Sequence, residues 1–309
     1  MPLALIATEQ AFRYHASKAV EMPPKVYLFF KEFRGDLRVM PCYIPELRAA
    51  GVKIVNVHPE NVERKLPTVM ATIILINPET GEPIAIMDGT WITNMRTGAA
   101  GGIAAKYLAR KDSKFLGLVG TGAQAETQVL AIQEVLPIQK ILAWSPNPNK
   151  LDVFVEKMRD VHGIRVERAQ NVQEACQTDI ISTTTPSRVP IVAPEWISPG
   201  THLNAIGADA PGKEELDPAL LKKSTIIIDE WEQAIHSGEV NVPITNGVIT
   251  QHDIQGTLGE VIVGQKLGRT TPEDITIFDS TGLAIQDLAT AHFIYQKALA
   301  ANTGHNIFL

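Results

Sequence analysis

Three groupings of residues in this 309-residue chain could do chemistry. The first is the turn Gly120-Thr121-Gly122-Ala123-Gln124-Ala125, which follows the apolar run 115–119 and opens a helical stretch. Glycines here permit a tight turn and let backbone approach a phosphate closely. The helix N-terminus adds N–H groups and partial positive charge. In its strand–turn–helix setting this GxGxxA pattern is that of a dinucleotide pyrophosphate site. Such sites carry an Asp or Glu roughly 20 residues further on, where it binds the ribose. Here the segment reads Ser145-Pro146-Asn147-Pro148-Asn149-Lys150, so Ser145 stands in the acid's place with a lysine near. The turn therefore suits NAD or NADP.

The second grouping is cationic. Lys25 follows Pro23-Pro24, Arg38 interrupts Leu37-Arg38-Val39-Met40, and Lys53 interrupts Gly51-Val52-Lys53-Ile54-Val55. A charge inside an apolar strand needs a partner, because an unpaired buried charge costs several kcal/mol or more. A substrate carboxylate would be one partner; exposure on an open sheet face is the alternative. Arg96, in Asn94-Met95-Arg96-Thr97-Gly98, is placed to meet a phosphate or carboxylate bidentately, or to close a domain interface.

The third grouping lies at strand ends. Asp209, in Gly207-Ala208-Asp209-Ala210-Pro211-Gly212-Lys213, follows the strand-like stretch 202–206. It could serve as acid or base, hold an ammonium group, or cap a helix. Ser280, in Phe278-Asp279-Ser280-Thr281-Gly282, could hydrogen-bond a nicotinamide or ribose, or cap the last helix.

Other chemistries are disfavoured. The eight histidines show no paired spacing, so no metal is assigned. Cys42 and Cys176 form no CxxC and read as inert packing, which fits a reduced, cytoplasmic setting. Twenty-eight Lys and Arg against 34 Asp and Glu leave a net charge of −6, which argues against a nucleic-acid partner. No apolar run reaches the roughly 18 residues of a membrane helix.

The elements that must position these residues fall into two regimes. Residues 26–30, 37–40, 53–57, 72–76 and 83–87 read as strands joined by turns, hence an antiparallel sheet. A helix rich in Ala and Gly is expected over 97–108, where small residues imply close packing on a neighbouring backbone. From residue 115, short apolar strands alternate with helices, which means βαβ units and a parallel sheet buried on both faces. A last helix over 283–301 is expected to return to the first domain. The expected division is 1–100 plus 290–309 for the first domain and 101–289 for the second.

These blocks, with Pro23-Pro24-Lys25, Arg96-Thr97-Gly98-Ala99-Ala100 and the segments at 204–213 and 278–283, resemble the ornithine cyclodeaminase/mu-crystallin family over nearly the whole chain from about residue 10. The stretches 22–28, 35–41, 66–71, 96–111, 183–188 and 275–287 look like its alanine dehydrogenase branch. The resemblance implies an α/β fold, with a Rossmann dinucleotide-binding domain and an antiparallel-sheet domain for substrate and dimerisation. It implies a homodimer and a site in the cleft between domains; related proteins usually carry a further strand and part of a helix ahead of the segment matching residue 8. Lys53 would donate or accept a proton, with Lys25 and Arg38 near the substrate carboxylate. Both cations would lower the lysine's proton affinity. Arg96, Ala123, Gln124, Ser145, Pro146, Asn147, Gly207, Ala208, Asp209, Lys213 and Ser280 would contact the dinucleotide beside Gly120 and Gly122. Asp209 could also assist amine and water chemistry. The implied activity is reversible oxidative deamination of a small L-amino acid such as L-alanine. Ornithine cyclodeamination, reduction of a cyclic ketimine, or turnover-free NADPH binding are the alternatives, and Asp209 argues against the last.

Overall fold

The structure is a computed structural model and describes residues 1–306. The chain divides into two compact units. One comprises Ile6–Arg96 and the residues from Leu283 onward; the other comprises Met1–Leu5 and Thr97–Gly282.

In the first unit, β1 (Val26–Phe30), β2 (Gly35–Ile44), β3 (Ala49–Val57), β4 (Val69–Ile76) and β5 (Pro83–Asp88) form an antiparallel meander in sequence order. Alternation of side chains gives the sheet one buried face. Met40, Cys42 and Ile44 on β2 point inward, as do Val55 on β3 and Ile73 and Leu75 on β4. The last helix, α10 (Ala284–Ala300), packs on β2, β3 and β4 through this face. At the N-terminus, α1 spans Pro2–Ala16.

The helix expected over 97–108 begins earlier still: α2 runs Gly89–Leu108. Its start is set by side chains rather than by propensity. Asp88 Oδ1 accepts from Thr90 N at 2.8 Å, and Thr90 Oγ1 accepts from Ala71 N at 2.9 Å. That pair caps the helix and ties it to β4.

In the second unit the strands are β6 (Phe115–Val119), β7 (Lys140–Trp144), β8 (Glu167–Arg168), β9 (Ile180–Thr183), β10 (Arg188–Val192), β11 (His202–Ala205), β12 (Glu214–Leu216), β13 (Thr225–Ile228), β14 (Ile254–Thr257) and β15 (Thr276–Asp279). The helices are α3 (Ala123–Val135), α4 (Pro148–His162), α5 (Val172–Cys176), α6 (Pro218–Leu221), α7 (Trp231–Ser237), α8 (Asn241–Thr245) and α9 (Leu258–Ile262). The main sheet is parallel, in the order β14-β13-β15-β11-β9-β6-β7-β8. From β8 to β15 this is the 3-2-1-4-5-6 order of a Rossmann sheet, extended by β13 and β14. Both faces are covered. Leu116 and Leu118 pack with Val129, Ile132 and Met158, while Val119 packs with Ile181 and Leu203.

The small-residue part of α2 meets α3 closely. A Cβ on Gly98 would lie 2.4 Å from the Thr127 carbonyl oxygen. A buried polar network adds to this contact. Gln128 Nε2 donates to Thr97 O at 3.1 Å, and Asn204 Nδ2 donates to Gly101 O at 3.1 Å.

Candidate active site

Lys53 is placed by strand register. It lies between Met40 and Ile73 in one cross-strand row of the buried face and is 1% exposed. The partner such a cation needs comes from the chain itself: Asp287, in the first turn of α10, has Oδ2 2.5 Å from Lys53 Nζ. Arg96 on α2 converges on the same carboxylate, donating from Nε to Asp287 Oδ1 at 2.8 Å and from Nη1 to Gln286 Oε1 at 2.9 Å. Burial first, then the Arg96 charge, lower the Lys53 pKa from 10.5 to about 7; Asp287 opposes them and Lys25 adds a smaller push downward. The expected contribution of Lys25 is thus present, but burial and Arg96 lead, and Arg38 is not among the leading causes.

Arg38 has a carboxylate beside it already. Its Nε donates to Asp36 Oδ1 at 2.8 Å and its Nη2 to Asp36 Oδ2 at 3.3 Å. The guanidinium also lies 5.4 Å from the Tyr27 ring centroid. Asp36 and Tyr27 therefore fix its orientation. Lys25 is half-buried just ahead of β1.

The remaining residues belong to the parallel-sheet unit. Gly120 adopts φ +103°, a conformation that favours glycine, at the carboxyl end of β6. Gly122 starts α3 in extended backbone, and a Cβ there would meet nothing within 4 Å. Gly122 lines, with Thr121, Ala123, Asn147 and Lys150, a cavity of about 430 Å³. Ser145 Oγ accepts from Asn147 N at 3.3 Å, and Asn147 Oδ1 accepts from Lys150 N at 3.2 Å, capping α4. The buried hydroxyl oxygens of Thr121, Thr184 and Ser280 have no hydrogen-bond partner among the described residues. A glycine turn with open space, a helix N-terminus and unsatisfied hydroxyls fit the phosphates and riboses of a dinucleotide. Among the described residues, no group of three or more His, Cys, Asp or Glu is arranged to hold a metal ion.

Asp209 does not start a helix. It pairs with Lys213 at 2.5 Å, and Lys213 Nζ also donates to Gly207 O at 3.4 Å. Ser280 does not cap α10, whose first turn is closed by Gln286 Oε1 accepting from Leu283 N at 3.2 Å.

Of the buried acids that went unnoticed in the sequence, three hold segments of the candidate site. Asp287 is one. Glu215 accepts from Thr183 Oγ1 at 2.7 Å, Thr185 N at 2.7 Å and Gly207 N at 2.8 Å, so it ties the end of β9 to the Gly207 loop. Asp229 accepts from Thr281 N at 2.6 Å and Gly282 N at 2.8 Å, fixing the turn after Ser280. Each acid sits within or beside an apolar run, the same signal that drew attention to Lys53.

The ornithine cyclodeaminase/mu-crystallin family model matches residues 1–302. Alanine dehydrogenase of Archaeoglobus fulgidus is 51% identical over 307 residues, covering 99% of this chain and 94% of the relative. An archaeal alanine dehydrogenase dimer solved with bound NAD superposes with a TM-score of 0.95 at 51% identity, covering 100% of this chain and 94% of that one. The Δ1-pyrroline-2-carboxylate reductase of Thermococcus litoralis, solved with NADH and L-proline, superposes with a TM-score of 0.96 at 38% identity, covering 98% and 95%.

Proposed function

The chain belongs to the ornithine cyclodeaminase/mu-crystallin family, and from that premise we propose that it is an NAD-dependent amino-acid dehydrogenase, interconverting L-alanine with pyruvate and ammonia. The observation that carries the reading is Lys53, a lysine buried in a sheet core whose pKa of about 7 leaves it able to give or take a proton near neutrality. The choice of L-alanine rests on the 51% identity to the A. fulgidus enzyme.

The residues then divide the work. Gly120, Gly122 and the first turn of α3 would hold the pyrophosphate. Ser145, Pro146 and Asn147 would meet the adenosine ribose. Gly207, Ala208, Asp209, Lys213 and Ser280 would serve the nicotinamide half. When bound, the dinucleotide supplies the acceptor and donor of hydride. Arg38, held by Asp36 and Tyr27, and Lys25 would fix the substrate carboxylate. Orientation of this kind is worth several kcal/mol of a barrier. Lys53 would take a proton as water adds to the imine carbon and return one as ammonia leaves. Asp209 is the second candidate for that proton traffic, already hydrogen-bonded to Lys213. Arg96 we assign to the carboxylate beside Lys53, where its contacts lie. A homodimer is supported by the archaeal relative and by exposed apolar side chains in the sheet unit, among them Val26, Leu28, Phe29, Ile86 and Trp91.

The test is oxidation of NADH followed at 340 nm. The reading expects oxidation that requires pyruvate and ammonium together. A second reading, reduction of a cyclic imine, is favoured by the equally close superposition on the T. litoralis reductase. It expects oxidation with pyrroline-2-carboxylate alone and none with pyruvate and ammonium.

A further inference from the structure

Two cations share one buried carboxylate in the sheet unit, and that carboxylate is the least obvious member of the group. Asp287 is fully buried, as is Gln286 beside it. Gln286 Oε1 accepts both from Arg96 Nη1 and from Leu283 N, so the turn of α10 that carries Asp287 is fixed at two points. Asp287 also sits in the first turn of α10, where the helix dipole favours its negative charge.

The charge arithmetic of the group is informative. With Lys53 protonated, Lys53, Arg96 and Asp287 sum to +1; with Lys53 neutral they sum to zero. Arginine does not give up its proton in proteins. Asp287 therefore keeps one permanent cationic partner whichever state the lysine is in. A neutral Lys53 amine keeps its 2.5 Å contact with Asp287 Oδ2. That contact constrains where the amine, and with it the lone pair, can sit.

From this juxtaposition we infer that Asp287, anchored by Arg96, is a positioning residue: it holds the Lys53 amine in one orientation through both protonation states and lets it carry a proton inside the core. The inference rests on the acid–base reading of Lys53 given above. The groups that set the charge around Lys53 are Arg96 on α2, Asp287 on α10 and Lys25 ahead of β1. Cys42 on β2 also feels Asp287; burial first, then this carboxylate, push its thiol up to about 12, so it stays protonated and neutral. Asp287 is thus the one leading influence that favours the charged lysine. Burial, Arg96 and Lys25 all oppose it.

The experiment compares Asp287→Asn, Asp287→Glu and Lys53→Met with the parent. Turnover is measured in both directions against pH. The Lys53 side chain is followed directly by NMR of protein carrying ¹³C at lysine Cε. Reductive amination needs the protonated amine and oxidation the neutral one. Asp287→Asn is expected to move the lysine titration, and the limb of the rate profile that follows it, down by about one to three pH units. Near pH 8 reductive turnover should then fall at least about tenfold more than oxidative turnover. Asp287→Glu should return the titration to the parental pH while leaving kcat reduced, because the longer side chain displaces the amine. A titration and limb that stay in place in Asp287→Asn, with equal losses in both directions, would overturn the inference. If Asp287→Asn does not fold, Asp287→Glu carries the test, and parental kcat in it overturns the orienting role. The two failures are separable. Parental turnover in Lys53→Met sinks the acid–base reading itself. An inactive Lys53→Met beside an unmoved Asp287→Asn titration sinks only the role given to Asp287.

Discussion

Replacing Gly122 by alanine separates folding from cofactor binding. The backbone at Gly122 has φ −80°, which alanine adopts without strain, and a Cβ there meets nothing within 4 Å. Two small terms act on stability. Alanine is a poorer N-cap than glycine by about 0.5–1 kcal/mol. Against that, it restricts the unfolded chain and contributes about 0.4–1 kcal/mol to the folded state. They nearly cancel, so the melting temperature should stay within about 2–4 °C of the parent. Binding is another matter, because the methyl group occupies the space through which backbone approaches the pyrophosphate. Losing one backbone hydrogen bond to a charged phosphate costs about 1.5–3 kcal/mol, equivalent to a roughly ten- to hundredfold weaker Kd. The assay is a fluorescence titration with NADH beside a thermal melt of the ligand-free protein. An unchanged Kd in a protein that melts like the parent would show that the turn does not hold the dinucleotide. A melting temperature that fell by 10 °C or more would show that the open space at Gly122 was misjudged.

Other expectations follow from the same reasoning. Gly98→Ala drives a methyl group into the Thr127 backbone, with a Cβ-to-oxygen distance of 2.4 Å. Overpacking by about 1–3 kcal/mol, less up to about 1 kcal/mol of helix propensity, should lower the melting temperature by roughly 4–8 °C, and a parental melt would refute it. Glu239 is fully buried; burial first, then the Glu215 charge, raise its pKa well above 4.5. A raised folded-state pKa gives stability that is complete below the unfolded value and lost as pH rises through the folded one. Glu239→Gln keeps an acceptor for Glu215 N and Leu216 N, which Glu239 Oε1 now receives at 2.9 and 2.6 Å. Denaturant melts from pH 4 upward should therefore show the variant losing less stability with rising pH than the parent. Equal slopes would exclude Glu239 as the titrating group.

Much of the fold was legible because local pattern and tertiary burial agree. The runs 141–143, 180–183 and 226–228 are short, mostly apolar and buried, as a parallel strand needs to be. The early start of α2 was hidden because Thr90, Trp91, Ile92 and Thr93 are middling helix formers. It is Asp88 and Thr90, through side-chain hydrogen bonds, that begin the helix. Strand β12 was hidden for a related reason. Its residues Glu214 and Glu215 are buried, and Glu215 is held by hydrogen bonds rather than by apolar packing. At the site, the glycine turn and Lys53 were readable from spacing alone. Asp287 was not, because its partners Lys53 and Arg96 are remote in sequence and meet it only once α10 has docked on the sheet. One trace was present: an acid inside the stretch Leu283-Ala284-Ile285-Gln286-Asp287-Leu288-Ala289, where all seven residues prove buried.

The most direct test of the central claim is the pH dependence of kcat/KM for NADH-dependent reductive amination of pyruvate, in the parent and in Lys53→Met. The account predicts oxidation of NADH that needs both pyruvate and ammonium, and a rate that falls as pH rises through about 7, where Lys53 loses its proton. In Lys53→Met it predicts a loss of about 10²- to 10⁴-fold, with NADH binding retained. Pyruvate and ammonium failing to oxidise NADH, or Lys53→Met turning over like the parent with the same pH profile, would contradict it.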